Sequence, residues 1–189
     1  PETVLATWTV GGDAVAPVAM PQDMGKLPAE LMNTMDKDAI AKKREVVLSE
    51  DNTAGKFMIN GEQFHTTRPL FVMKLGTSEE WTIRNVTGED HPFHIHVNDF
   101  QVMSINGVPY ESTGLVDTFK VPAHGQIVIR QRFLDFVGKY VFHCHILAHG
   151  DGGMMAAIAV TEDGKTPSVE QQDAWGQPLL DHSNMPGMP

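Results

Sequence analysis

The chain has 189 residues, of which 24 are acidic and 14 basic, and its formal charge is -10. This length, with 41% hydrophobic residues, is typical of one well-buried soluble domain with extensions. The acidic balance and the lack of a Lys/Arg cluster argue against nucleic acid as a partner. No apolar run approaches the roughly 20 residues of a membrane-spanning helix, so we expect neither a membrane span nor a signal peptide in this chain.

The first 43 residues differ in pattern from the rest of the chain. Val4, Ala6, Trp8 and Val10 alternate as in a strand and stop at a Gly-Gly-Asp turn. We interpret residues 1–18 as the remnant of a preceding domain. Residues 19–43 contain prolines and several methionines, and we predict a linker there, with a short helix around residues 29–42.

Residues 44–162 read as an all-β domain. Short β-rich runs recur at roughly 8–12 residue spacing, which indicates an antiparallel sandwich or barrel. The runs are EVVLS, KFMI, PLFVMKL, EEWTIRNV, HPFHIHV, FQVMSI, VDTFKV, QIVIRQRF, KYVFHCHI and MMAAIAV. Asn60-Gly61 and Asn106-Gly107 predict tight hairpins between runs. Residues 163–189 are polar and rich in Pro and Gly, and we predict a short C-terminal tail.

The chain's only cysteine lies between two histidines, in the stretch FHCHILAHGDGGMM over residues 142–155. Successive side chains of a strand point to opposite faces, so His143 and His145 share one face and Cys144 takes the other. The run HPFHIH at 91–96 divides in the same way. There His94 and His96 share a face, and His91 has the opposite parity.

This parity predicts two metal centres. The economical grouping joins Cys144 with His91, His149 and Met154, and leaves His94, His96, His143 and His145 for a second centre. A thiolate, two imidazoles and a thioether form the ligand set of a blue-copper site. The glycines at 150, 152 and 153 give the backbone freedom to bring Met154 to the metal, and Met155 is the adjacent alternative.

Other interpretations fit the pattern less well. A lone buried Cys is often a small apolar residue, but that leaves the clustered histidines unexplained. A closed zinc site uses four N/S ligands and would leave most of these histidines unused, so copper ranks ahead of zinc. A copper nitrite reductase needs one histidine beside the cysteine, whereas both neighbours of Cys144 are histidine.

The two motifs resemble the C-terminal cupredoxin domain of the multicopper oxidases. HPFHIH and HCHILAHGDGGMM match the family patterns HPxHxH and HCHxxxHxxxGM. A weaker resemblance runs from about residue 27 to 160, through INGEQF, LGTSEEWTI, GLVDTFKVP and IRQRF, and is closest to bacterial three-domain laccases and cuprous oxidases. It implies a Greek-key β-sandwich of cupredoxin type.

The resemblance also implies roles for the site residues. His91, Cys144, His149 and Met154 would bind the type 1 copper, His94 the type 2 copper, and His96, His143 and His145 the type 3 pair. Electrons from phenols, aromatic amines or metal ions would pass through Cys144, His143 and His145 to a trinuclear cluster that reduces O2 to water. The resemblance further implies export to the periplasm or the cell exterior.

Two departures from the family pattern stand out. The family completes its cluster with HxH motifs of an N-terminal cupredoxin domain, but this sequence has only His94-Ile95-His96 and His143-Cys144-His145. We therefore expect an oxidase chain that is incomplete alone and needs that domain or a partner subunit. The alternative is a stand-alone or partner-dependent blue-copper protein that transfers electrons or binds copper without O2 chemistry. Gly150 replaces a glutamate that bacterial relatives often carry, which leaves Glu89, Asp90 and Asp151 as candidate proton donors.

Overall fold

The computed structural model describes residues 39–64 and 68–167, together with residues 6, 7, 9, 11 and 12. Within these ranges the chain forms eleven strands and one helix of five residues. In chain order they are β1 (Ile40–Asp51), β2 (Lys56–Ile59), β3 (Phe71–Lys74), β4 (Thr77–Asn85), β5 (His91–Ile95), β6 (Phe100–Ile105), β7 (Val108–Pro109), β8 (Thr118–Val121), β9 (Gln126–Phe133), β10 (Gly138–Cys144), α1 (Leu147–Asp151) and β11 (Met155–Thr161). The helix falls far short of the length that a membrane crossing would require.

The strands form two sheets packed face to face. One sheet has six strands in the order β2-β1-β4-β9-β6-β7, and the other has five in the order β3-β11-β10-β5-β8. All pairings between named strands are antiparallel except β1 with β4 and β3 with β11, which are parallel. The predicted fold class, a Greek-key β-sandwich of cupredoxin type, is confirmed.

Alternating side chains build the core between the sheets. Along β4, Trp81 and Ile83 are fully buried, and along β9, Ile127 and Ile129 are buried in the same way. Trp81 lies at the centre, with the rings of Phe71, Phe142 and Phe133 at centroid distances of 5.2, 5.6 and 6.4 Å. Alternation of this kind buries one face of each strand and lets the two sheets share one apolar layer.

The two predicted Asn-Gly turns are confirmed. Asn60 and Gly61 have φ of 51° and 79°, and Asn106 and Gly107 have the same pair of values. Positive φ at both central residues is the geometry that lets two antiparallel strands reverse within two residues. The second of these turns joins β6 to β7.

The N-terminal boundary of the domain corrects one prediction. The helix expected around residues 29–42 is wrong at its end, because β1 begins at Ile40, inside the region predicted as linker. Two ion pairs join this first part of β1 to β4. Arg44 bonds Glu79 at 2.5 Å, and Lys43 lies 2.7 Å from Glu80. The rest of the predicted helix, most of the remnant at 1–18 and the tail from 168 onward lie outside the described residues.

Candidate metal centre

Strand β10 carries ligand candidates on both of its faces. His143 pairs with His94 of β5 and Met155 of β11, and Cys144 pairs with Phe93. Cross-strand partners share a face, so His143 and His94 lie on one side and Cys144 on the other. Cys144 is 1% exposed and joins the apolar core, whereas His145 is exposed.

The buried cluster, which we define as Cys144, His91, His149 and Met154, brings three donor atoms together. Cys144 Sγ lies 3.6 Å from His91 Nδ1 and 3.7 Å from His149 Nδ1, and the two Nδ1 atoms are 3.1 Å apart. Such separations suit donors that share one metal through bonds of about 2.0–2.3 Å. His91 is 0% and His149 8% exposed, so the cluster excludes bulk water. One thiol and two imidazoles fit copper.

The loop after α1 places the backbone of Met154 next to the backbones of His149 and Cys144. Met154 is fully buried; its N–H donates to the His149 carbonyl at 2.9 Å, and its carbonyl accepts from the Cys144 N–H at 3.0 Å. Gly153 has a φ of +115°, and a Cβ there would lie 2.7 Å from the Phe57 carbonyl oxygen, so only glycine fits. Met155 pairs with His143 and therefore points away from Cys144.

Burial controls protonation in the buried cluster. It raises the pKa of the Cys144 thiol, so without a metal this group is a thiol at neutral pH and a poor nucleophile. Burial is the main cause that lowers the pKa of His91, and the neighbouring His149 lowers it further. Both favour the neutral imidazole that metals bind. A metal must therefore displace the thiol proton, so binding at this site releases a proton.

Three further contacts to the buried cluster were not predicted from the sequence, although Glu89 was named there as a candidate proton donor. The Phe57 ring stacks on His149 with centroids 4.2 Å apart and planes at 15°. Glu89 Oε1 lies 3.5 Å from His149 Nε2, and Thr87 Oγ1 lies 2.7 Å from His91 Nε2. These residues come from β2 and from the loop between β4 and β5, where no regular spacing predicts which side chain meets a histidine.

The open cluster, which we define as His94, His96, His143 and His145, occupies the opposite face. His96 Nε2 and His143 Nε2 are 3.2 Å apart, and the ring centroids of His94 and His145 are 5.2 Å apart. His94, His96 and His143 offer ligand atoms within 4.8 Å of one another, and His145 stands outside that group. His96 is exposed, but the protein around it removes part of its hydration, and this loss together with the neighbouring His94 and His143 lowers its pKa and favours the neutral, metal-binding form.

Backbone carbonyls orient two rings of the open cluster. His143 Nδ1 lies 2.8 Å from the Cys144 carbonyl, and His94 Nδ1 lies 2.9 Å from the Asp117 carbonyl. A carbonyl only accepts, so each Nδ1 carries the hydrogen and each Nε2 has a free lone pair. The Asp117 carboxylate is less involved: its Oδ1 is 4.0 Å from His94 Nδ1 and the side chain is 61% exposed.

The remaining polar candidates have other surroundings. Asp90 bonds Lys120 at 2.9 Å and the Ala123 N–H at 2.9 Å, and the Lys120 contact holds the pKa of Asp90 below its usual value. His124 is an exposed residue in the turn between β8 and β9. His65 lies outside the described residues.

Comparison with known sequences points to one family. The multicopper oxidase family model matches residues 36–164. A multicopper oxidase of Staphylococcus haemolyticus is 37% identical over 135 residues, which are 68% of this chain and 29% of that protein. The laccase of Bacillus subtilis is 31% identical over 131 residues, covering 57% of this chain and 25% of the laccase.

Solved structures agree with this assignment. A laccase from Pediococcus acidilactici superposes with a TM-score of 0.64 at 29% identity, covering 77% of this chain and 31% of the laccase. A Campylobacter jejuni multicopper oxidase gives a TM-score of 0.60 at 31% identity, over 64% of this chain and 30% of that protein. The chain thus spans less than a third of the length of these relatives. With the family model matching more than half of its residues, the chain belongs to the multicopper oxidase family.

Proposed function

We propose that this chain is the C-terminal domain of a multicopper oxidase, with type 1 copper in the buried cluster and half of a trinuclear copper site in the open cluster. The observation that carries the proposal is that adjacent residues of β10 serve both clusters on opposite faces of one strand. When bound, the coppers would supply one-electron acceptance from a reducing substrate and the reduction of O2 to water.

The buried cluster supports the role of type 1 ligands for His91, Cys144, His149 and Met154. Soft sulfur and borderline imidazole donors accommodate both Cu(I) and Cu(II). Nδ1 of each histidine already faces Cys144 Sγ within 3.7 Å, and the surrounding core holds these groups in place. A ligand set that is held by packing changes little when the metal changes charge, which favours electron transfer.

The segment from His143 to His145 supports a short route between the two clusters. Cys144 is bonded through the backbone to both flanking histidines, which belong to the open cluster. The His143 ring also donates Nδ1–H to the Cys144 carbonyl at 2.8 Å. Two covalent paths, one to each flanking histidine, and one hydrogen-bonded path therefore lead from the cysteine to the open cluster.

The open cluster supports sharing with another unit. His94 would bind the type 2 copper, and His96, His143 and His145 the type 3 pair. His96 and His145 are exposed, so ligands from outside the described residues can approach them. We propose that an N-terminal cupredoxin domain or a partner subunit supplies the remaining HxH motifs, that O2 and a small reductant such as a phenol, an aromatic amine or a metal ion are the substrates, and that the protein is exported.

The competing function is a stand-alone blue-copper electron carrier. Such a protein needs the buried cluster alone, whereas this chain arranges three further histidines with ligand atoms within 4.8 Å. That second cluster favours the oxidase.

A reductive titration tests the proposal. We expect the copper-loaded chain to show a thiolate-to-copper band that bleaches with one electron per blue site, and to consume little O2 alone. His91→Ala should abolish the bleaching band, and His124→Ala, at an exposed turn, should leave it intact. A wild-type chain that binds copper without a reducible blue centre would contradict the assignment.

A further inference from the structure

We propose that Asn85 and Thr87 are positioning residues that fix His91 in the tautomer with hydrogen on Nε2, so that the Nδ1 lone pair faces Cys144. Asn85 ends β4, Thr87 lies in the loop to β5, and His91 begins β5. The three side chains are 1%, 3% and 0% exposed, so water does not compete for their hydrogen bonds.

The donor and acceptor direction of these hydrogen bonds is fixed at the Asn85 amide. Its Nδ2 lies 2.7 Å from the Glu89 carbonyl, 3.0 Å from the Pro122 carbonyl and 3.3 Å from the Val121 carbonyl. Carbonyl oxygens only accept, so the amide NH2 must face these three groups. The amide cannot be reversed, and Asn85 Oδ1 must point towards Thr87.

The orientation of the Asn85 amide decides whether the Thr87 hydroxyl donates or accepts. Asn85 Oδ1 accepts the Thr87 N–H at 2.9 Å and lies 2.8 Å from Thr87 Oγ1. A hydroxyl has one hydrogen, and the other oxygen near it, the Glu89 carbonyl at 3.2 Å, is also an acceptor. The Thr87 hydrogen is committed in either case, so the hydroxyl presents a lone pair to His91.

His91 is the last residue in this series of hydrogen bonds. Thr87 Oγ1 is 2.7 Å from His91 Nε2, so Nε2 must carry the hydrogen that the hydroxyl accepts. Nδ1 of the neutral ring then carries a lone pair, and it lies 3.6 Å from Cys144 Sγ and 3.1 Å from His149 Nδ1. A reversed ring would lose the Thr87 bond and turn a carbon towards the site, so the chain of bonds selects both the tautomer and the ring orientation.

The two histidines of the buried cluster are therefore held differently. His149 Nε2 faces the Glu89 carboxylate at 3.5 Å, and that carboxylate is half exposed. His91 instead ends a buried series of hydrogen bonds between neutral groups, and backbone carbonyls fix the direction of those bonds. The effect on metal binding rests on the proposed type 1 site, but the His91 tautomer is a property of the metal-free protein and is measurable without copper.

The test is 15N NMR of the histidine ring nitrogens in the metal-free, full-length chain. We expect His91 to be protonated at Nε2 in the wild type and to lose that single tautomer in Thr87→Val. Thr87→Ser keeps the hydroxyl and should restore it. Thr82→Val is the matched control, because Thr82 lies on β4 between the core residues Trp81 and Ile83 and so points away from the core.

Copper binding supplies the second readout. Loss of such a supporting hydrogen bond lowers metal affinity by about 10- to 100-fold. We expect a drop of that size for Thr87→Val in a Cu(II) titration followed at the thiolate-to-copper band, and no comparable drop for Thr87→Ser or Thr82→Val.

The outcomes separate this inference from the proposed function. A wild-type His91 protonated at Nδ1, or present as an even mixture of tautomers, overturns the inference and needs no variant that might misfold. Unchanged tautomer and affinity in Thr87→Val overturn it as well. A single Nε2–H tautomer in a chain that forms no thiolate-to-copper band upholds the inference and rejects the type 1 site.

Discussion

The buried cluster and the open cluster both include side chains of β5 and β10, but they differ in solvent exposure. Cys144 and His91 lie inside the core at 1% and 0% exposure, with donor atoms less than 4 Å apart. Across the sheet, His96 and His145 are exposed, and His94 and His143 are half-buried. Side-chain alternation along β5 and β10 separates His91 and Cys144 from His94 and His143. His149 and Met154 join the buried cluster from α1 and the loop after it.

The difference in exposure explains how one strand can serve two kinds of site. A cluster inside the core is surrounded by its own chain, so packing and hydrogen bonds can complete it and exclude water. A cluster on the outer face of a sheet has open directions, which suit ligands from another domain or subunit. Substitutions in each cluster can show whether the buried cluster works alone and whether the open cluster is independent of it.

The largest effect is expected for Cys144→Ser. The thiolate is the source of the intense absorption of a blue-copper site, so the band should disappear completely after Cu(II) loading. Serine has nearly the volume of cysteine, and circular dichroism should show the same fold. A folded variant that retains the band would remove Cys144 from the site.

His96→Ala tests the independence of the two clusters. His96 Nε2 lies 3.2 Å from His143 Nε2, and the side chain is exposed on the face opposite Cys144. We expect the variant to bind less copper per chain by metal analysis while the thiolate-to-copper band keeps its full intensity. His124→Ala should change neither quantity. A weaker band in His96→Ala would show that the clusters are coupled.

Met154→Leu sharpens the description of the buried cluster. Met154 is fully buried beside the His149 and Cys144 backbones, whereas Met155 shares a face with His143. Because an axial thioether tunes the copper potential, Met154→Leu should keep the band and raise the reduction potential. Met155→Leu is the matched control and should leave the potential unchanged. The opposite pattern would exchange the roles of the two methionines.

Phe57→Leu tests the aromatic contact on His149. The stacked pair, with centroids 4.2 Å apart, should contribute about 0.5–1.5 kcal/mol beyond the apolar area that it buries. We expect a loss of at least that size in the free energy of unfolding of the metal-free chain, measured with urea. Phe57→Tyr keeps the ring and should retain most of the stability. Equal losses in both variants would mean that the stack contributes little.

The pH dependence of the metal-free chain should reflect the buried cluster. Burial lowers the pKa of His91 in the folded chain. As the pH falls through about 6.5, His91 takes up a proton in the unfolded chain but stays neutral in the folded chain. The free energy of unfolding therefore decreases below about that pH. Burial raises the pKa of Cys144, so stability falls again above about pH 8.5, where the unfolded thiol ionises.

Urea unfolding across this range measures both limits. His91→Gln should weaken the loss on the acid side, and Cys144→Ser the loss on the alkaline side. A wild-type chain that is more stable at pH 5.5 than at pH 7.5 would contradict the assigned effect of His91 burial.

The sequence predicted the strands and the division of the histidines because both depend on alternation along one strand. His143 and Cys144 needed no knowledge of their neighbours to be assigned to opposite faces. Thr87, Asn85 and Phe57 were not predictable, because their contacts depend on loop conformations and on a ring from a distant strand. The start of β1 was missed because three consecutive residues, Lys42, Lys43 and Arg44, are charged, and the carboxylates that pair with Lys43 and Arg44 lie on β4.

The most direct test of a type 1 site in this chain is the visible absorption spectrum of all 189 residues after reconstitution with Cu(II). We predict an intense blue thiolate-to-copper band from the buried cluster, formed without any other domain. A folded chain that binds Cu(II) and shows no such band would contradict the presence of a complete type 1 site in this chain.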